Sequence, residues 1–327
     1  MPCARRGISR LGNPRTVPQR KTASPARRRR YSSGEKYIAA IAFDGDSIGK
    51  WVNGNFLPDK TKLKQHHADF SAALSDFALD RVSKIVEKMV DGTDEKGHPI
   101  KIPLGQLIYA GGDDVVCLVP ADAALEVAAK LRDAFRDATK GTDSTTEKPD
   151  ASAGIAIAHI HAPLQDLIRE AQKAEKRAKN DVGRPALSVT LLKRSGEISH
   201  WGSKWDTGGI EIYRLIADNL KPGGLSAKFP HRVCQLLEPY VTTDKGLSKQ
   251  TNAPGFDAIP IIQKEFAHAA KRQGSKAIAD QLEGPLNSYL NHLGSDPQTL
   301  LTSVIGLCTT VAFADRTKPA EKQTTAP

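Results

Sequence analysis

Cysteine is scarce in this 327-residue chain: the four present, Cys3, Cys117, Cys234 and Cys308, lie far apart with no pair at C-x-x-C spacing. That pattern excludes the usual signatures of a zinc module or a disulfide framework, so no zinc is expected. No His-Asp dipeptide occurs either. His66 and His67 are adjacent, and His159 and His161 alternate with no Cys or acid at ligand spacing, so both pairs read as structural or surface residues. Long apolar runs are missing as well. No stretch looks like the roughly 20 apolar residues that cross a bilayer, and the first residues are basic and polar rather than a secretory signal. The expectation is a cytoplasmic protein with no membrane partner.

Acidic residues are absent from positions 1–34, which hold ten Lys and Arg. Of 47 basic residues, 37 then remain to face 37 acids, so the net charge of +10 belongs to this segment alone. Rich in Pro, Ser and Gly and without hydrophobic periodicity, it reads as a disordered basic tail. Contact with nucleic-acid phosphates is one reading; a mis-assigned start codon or a remnant of a longer gene is the other.

Beyond the tail, the apolar run Tyr37–Phe43 ends in Asp44-Gly45-Asp46, a buried strand entering a polar turn. Residues 63–90 place Phe70, Leu74, Phe77, Ile85 and Met89 on one face of a long helix. Residues 91–99 read as loop. Two apolar runs, 104–110 and 115–119, flank Gly111-Gly112-Asp113-Asp114 as a hairpin. A helix over 121–138, a strand over 151–160, a helix opened by Pro163 and running to about Lys179, and a strand over 186–192 follow. Trp201 and Trp205 fall in a Gly-rich connector, and from 208 to 316 only helices are expected. The fold class is α+β: a ferredoxin-like βαββαβ palm of the nucleotide-cyclase kind over 35–206, then an all-α domain over 207–327.

Three carboxylates, Asp44, Asp113 and Asp114, thus converge on one sheet edge. Acids so close raise one another's pKa, and a hard divalent cation, Mg²⁺ or Mn²⁺, relieves that cost. Two such ions can activate a hydroxyl and stabilise a leaving pyrophosphate. Gly111 and Gly112 let the turn backbone approach a nucleotide, and the Gly45 carbonyl is a further metal ligand. Asp46 either joins the metal site or orders its own turn. Ser47, Lys50 and Lys179 are nucleotide-binding candidates, although Lys179 also suits a helix C-terminus.

Taken in order, Phe43–Trp51, Tyr109–Asp114, Ser152–His159, Pro163-Leu164, Leu192–Glu197, Trp205 and Phe313–Arg316 resemble the C-terminal half of the large polymerase-like subunit of type III-B (Cmr) CRISPR–Cas effector complexes. The resemblance covers about residues 36–316. It implies a palm domain that polymerises ATP into cyclic oligoadenylates when the complex binds target RNA through its guide RNA. Gly111–Asp114 would be the catalytic signature, Asp44 would share the metals, and the helices would contact other Cmr-type subunits. Relatives carry an HD nuclease domain, a first palm and a zinc module, none of which is visible here. A partner palm is therefore expected to complete the ATP site, and no DNase activity is expected. Two other readings stay open: a non-catalytic assembly subunit, and a stand-alone diguanylate cyclase built on the same palm.

Overall fold

The computed structural model describes residues 37–57, 59–93, 98–140, 148–241 and 256–317. The basic tail lies outside them, as does 141–147 of the polar loop before the fourth predicted strand. β1 (Tyr37–Gly45) is central because it is apolar on both faces. It pairs antiparallel with β5 (Asp114–Pro120) on one side and β6 (Ala151–His159) on the other. β4 (Gln106–Gly111) forms the hairpin with β5 and is one sheet edge. β7 (Ala186–Leu192) joins β6 in parallel, and β8 (Ile198–Lys204) closes the other edge antiparallel to β7. The strand order is β4-β5-β1-β6-β7-β8. Its first four strands are the split βαβ arrangement read from the sequence.

The two faces of the sheet differ in residue size. Odd positions of β1, Ala39, Ile41 and Phe43, enter the main core. There Phe43 meets Phe77 and Phe135 at ring distances of 5.7 and 6.0 Å. Phe77 sits in a π-helical turn between α2 (Leu63–Asp76) and α3 (Val82–Val86), and Phe135 on α4 (Ala124–Ala138). Even positions carry Ala40 and Ala42, which with Ala156 and Ala158 pack on Leu167 and Ala171 of α5 (Leu164–Arg177). Small side chains let this helix lie close to the sheet. Gly154 is the tightest point, since a Cβ there would overlap the backbone of Ala171, Ala174 and Glu175. Backbone cannot rotate away. Gly154→Ala should therefore cost about 1–3 kcal/mol, read as a lower urea midpoint at unchanged slope; an unchanged midpoint would mean α5 rides higher than described.

Two expectations are corrected. Part of the stretch 91–99 is not loop: β2 (Met89–Thr93) and β3 (Pro99–Pro103) form a ribbon, with Lys101 paired across it to Asp91 at 2.7 Å. Each strand has too few alternating apolar residues for the period to register. The connector holding Trp201 is likewise the strand β8. Only Trp201 and Ser203 of that strand are buried, as suits an edge with a polar outer face.

Where helices are expected from 208 onward, the chain forms α6 (Gly209–Asn219), α7 (Phe229–Leu237), α8 (Ala258–Gln273), α9 (Lys276–Leu293) and α10 (Pro297–Thr317). Asp257 and Ser275 cap α8 and α9 by accepting from the N–H groups of Ile259 and Ile278. One buried cluster runs from the sheet into these helices. Trp201 Nε1 donates to Tyr289 Oη at 3.0 Å, and Trp205 Nε1 to the Ala151 carbonyl at 2.9 Å. α10 departs from the sequence expectation: at 21 residues it is long and apolar enough, by length and composition, to cross a membrane. In this fold it is a core helix, packed against α7, α6 and β8. Cys234 and Cys308 are free thiols that meet between α7 and α10.

Candidate functional site

The pairing of Phe43 with Val115 places the next residue of β1, Asp44, beside the first residue of β5, Asp114. Gly45 brings the turn closer still: a Cβ on it would lie 2.9 Å from that of Asp113. Gly112 has φ +66, the left-handed region glycine tolerates, and so turns the hairpin tightly enough to present Asp113. Burial pushes the Asp113 carboxyl up to about 6, and the charges of Asp44 and Asp114 push the same way. Burial also raises Asp114, helped by Asp44 and Glu175 and opposed by Lys179. The three predicted carboxylates share one electrostatic environment.

Lys179 completes the cluster. It lies in a π-helical turn (Ala178–Gly183) that extends α5 toward the β1 terminus. Its ammonium pairs with Asp44 and, at 2.6 Å, with Glu175. Burial opposes its charge, yet the two carboxylates outweigh burial and raise its pKa. This ammonium is a cation set among crowded acids. Glu175 was not foreseen; the available signal was its i,i+4 spacing from Lys179 on a helix end now known to face β1.

The other candidates separate. Asp46 turns inward, only 7% exposed, accepting from Ser152 Oγ at 2.9–3.0 Å with Arg184 at 3.4 Å. Burial holds its carboxyl up, at about 6. Its backbone N–H donates to the Asp150 carbonyl at 2.8 Å. Asp46 orders its turn, the second of the two roles considered for it. Ser47 adopts φ +58 at the start of α1 (Ile48–Val52) and leaves its side chain without a capping bond. Lys50 is exposed on α1 and forms no ion pair among the described residues. Gly111 lies under the ring of Tyr109, which is 51% exposed. Lys193 pairs with Glu197 in its own turn at 2.6 Å. His66 is a buried structural residue bonded to the Trp51 carbonyl at 2.8 Å.

A second feature escaped the sequence reading. Arg132 of α4, 6% exposed, forks onto Asp150 (2.7–2.8 Å) and Asp206 (2.6–2.9 Å) and stacks 5.3 Å from the Trp205 ring. Through Asp150 it is tied to the turn at Asp46.

The donor set suits a hard divalent cation: clustered carboxylates at a glycine turn, two of them raised in pKa by burial and neighbouring charge, beside an ammonium. With Lys179 engaging Asp44, no three His, Cys, Asp or Glu among the described residues are arranged to hold a metal as they stand.

A family model for the second palm domain of Cas10/Cmr2 matches residues 37–188. The CRISPR system Cmr subunit Cmr2 of Pyrococcus furiosus is 28% identical over 284 residues, taking in 79% of this chain and 29% of that protein. The chain therefore spans less than a third of that relative's length. The crystal structure of Csm1 in T. onnurineus superposes with a TM-score of 0.54 at 19% identity over 87% of this chain and 37% of that one. Csm1–Csm4 cassettes in complex with AMPPNP and with cA3 each give 0.50 at 16% identity, over 85% of this chain and 36% of theirs. At such identities the likeness is one of fold.

Proposed function

Residues 37–188 belong to the Cas10/Cmr2 second-palm family, and from that premise we propose that this chain is the palm-bearing part of a type III CRISPR antiviral effector subunit that joins ATP into cyclic oligoadenylates. Asp44, Asp113 and Asp114, with the Gly45 carbonyl, would hold Mg²⁺ or Mn²⁺. Such an ion would supply positive charge for in-line displacement at a phosphoryl group. Gly111 and Gly112 leave room for the nucleotide at the turn. Lys179, beside Asp44, would face the phosphates, and Ser47 and Lys50 lie at the same end of β1. A partner palm, corresponding to the first palm of relatives, contributes the other half of the site. The helices dock other Cmr- or Csm-type subunits, which carry guide and target RNA, in the cytoplasm.

The observation that carries this reading is the meeting of Asp44, from one chain segment, with Asp113 and Asp114, from another, at one sheet edge where Lys179 pairs with Asp44. AMPPNP and cA3 bound in the Csm1–Csm4 cassettes fit ATP as substrate and a cyclic adenylate as product. A diguanylate cyclase is disfavoured because the likeness to Csm1 extends past the palm, over 87% of this chain.

The test supplies a partner palm and the RNA-bound complex, with ATP and Mn²⁺, and follows labelled oligoadenylate. Product should form with the unchanged chain and vanish with the Asp113→Ala, Asp114→Ala pair. Undiminished product from that pair would sink the proposal. Assembly without metal-dependent ATP binding would instead indicate the scaffold role.

A further inference from the structure

Arg177 and Lys179 lie two residues apart and face different surroundings. Lys179 enters the acidic cluster. Arg177 turns to β7, where Nε donates to Ser188 Oγ at 3.2 Å and Nη2 to Thr190 Oγ1 at 2.6 Å. Both acceptors are neutral, and among the described residues no carboxylate forms an ion pair with the guanidinium. A guanidinium has five N–H donors, and these two bonds use only part of that fork. Burial pulls the Arg177 pKa down, and the more distant charges of Asp181 and Glu170 offset only part of it. A half-buried cation in that position gains from an anionic partner.

Other basic side chains face the same space. Thr190 pairs with His200 and Ala186 with Lys204, so the two-residue period sets His200 and Lys204 on one face of β8. Burial and then Arg177 hold the His200 pKa below its ordinary value, which places the two within electrostatic reach. Arg177, His200 and Lys204 line a cleft of about 560 Å³ that runs along the free edge of β8 to the corner between α9 and α10. His292 adds a fourth basic side chain, and among the described residues Asp181 is the one acid lining it. Val182 and Leu293 provide apolar surface. The size is that of a small-molecule site. An Arg fork beside a lysine and hydroxyls matches phosphate oxygens.

We propose that this cleft binds a phosphate-bearing ligand of mononucleotide size, its phosphate held by Arg177 and Lys204 and its base against Val182 and Leu293. Having one acid rather than three, the cleft needs no divalent cation. The proposal stands independently of the reading of the carboxylate cluster.

The test is calorimetric titration of the full chain with AMP in EDTA. Saturable binding is expected, weakened at least tenfold by Arg177→Gln and by Lys204→Gln and unchanged by Asp114→Asn. Lys204 lies on an edge strand, so its variant remains informative if Arg177→Gln misfolds. No saturable binding of AMP, or binding weakened by Asp114→Asn and not by Lys204→Gln, overturns the proposal. Inorganic phosphate and a single-stranded oligouridylate complete the series. Phosphate binding as tightly as AMP would reduce the cleft to a simple anion site. Oligouridylate binding through Lys204 where AMP fails would make it a strand site; either result overturns the mononucleotide assignment.

Discussion

Arg132→Ala should lower the stability of this protein by about 3–5 kcal/mol, the range for removing one partner of a buried ion pair. The guanidinium side chain is 7% exposed and the Asp150 side chain 16%, so alanine leaves an acid with little access to water. Asp206 behaves differently. Its side chain is 71% exposed, and Asp206→Ala should change stability by about 1 kcal/mol or less. Hydrogen bonds from Arg132 hold the Asp206 carboxyl below its usual range, but most of that acid's solvation survives without them. Urea midpoints for Arg132→Ala, Asp206→Ala and the double variant separate the two contacts. Equal losses for the single variants would contradict the assignment of Asp150 as the partner that matters. A second consequence reaches the site: Asp150 accepts the Asp46 N–H, so losing Arg132 should also loosen the turn that carries Asp44.

Lys179→Met should cost about 3 kcal/mol in EDTA, the low end of the same range because the Asp44 side chain is 37% exposed. The loss arises because Asp44 and Glu175 then face Asp113 and Asp114 with no cation among them. Manganese should return part of that stability. A ligand present at a hundred times its Kd stabilises the folded state by about 2.7 kcal/mol. In the unchanged protein the ion must first displace Lys179 from Asp44, so its stabilising effect should be smaller there than in the variant. Thermal melts with and without Mn²⁺ measure both quantities. Equal metal-induced shifts in the two proteins would mean that Lys179 and the ion do not compete. A variant as stable as the parent in EDTA would mean that the acids are already neutralised by protons.

Much of this was legible in the chain. The apolar run 37–43, the Gly-Gly-Asp-Asp turn and the helical periodicities are local patterns, and they gave the strands, the hairpin and the later helices with small errors at the ends. The ribbon at 89–103 and the strand at 198–204 were missed because edge and surface strands bury too few residues to carry a period. Long apolar content in α10 was also overlooked: its Thr, Ser and Gly break the run in one dimension while the helix still buries most of its length.

By itself, the sequence determined which acids stand at strand ends and that a glycine turn would expose two of them. Composition and local period suffice for that, because backbone geometry alternates side chains without reference to the rest of the fold. Tertiary structure alone decided who meets whom. Pairing Phe43 with Val115 set Asp44 beside Asp114, while the alanine and glycine face of β1 and β6 drew α5 close enough for Lys179 and Glu175 to enter the cluster. Pairing β7 with β8 set Thr190 against His200 and opened the Arg177 cleft at the sheet edge. These contacts join residues far apart in the chain, and their electrostatics depend on burial and distance, which register and helix approach fix only in the folded protein.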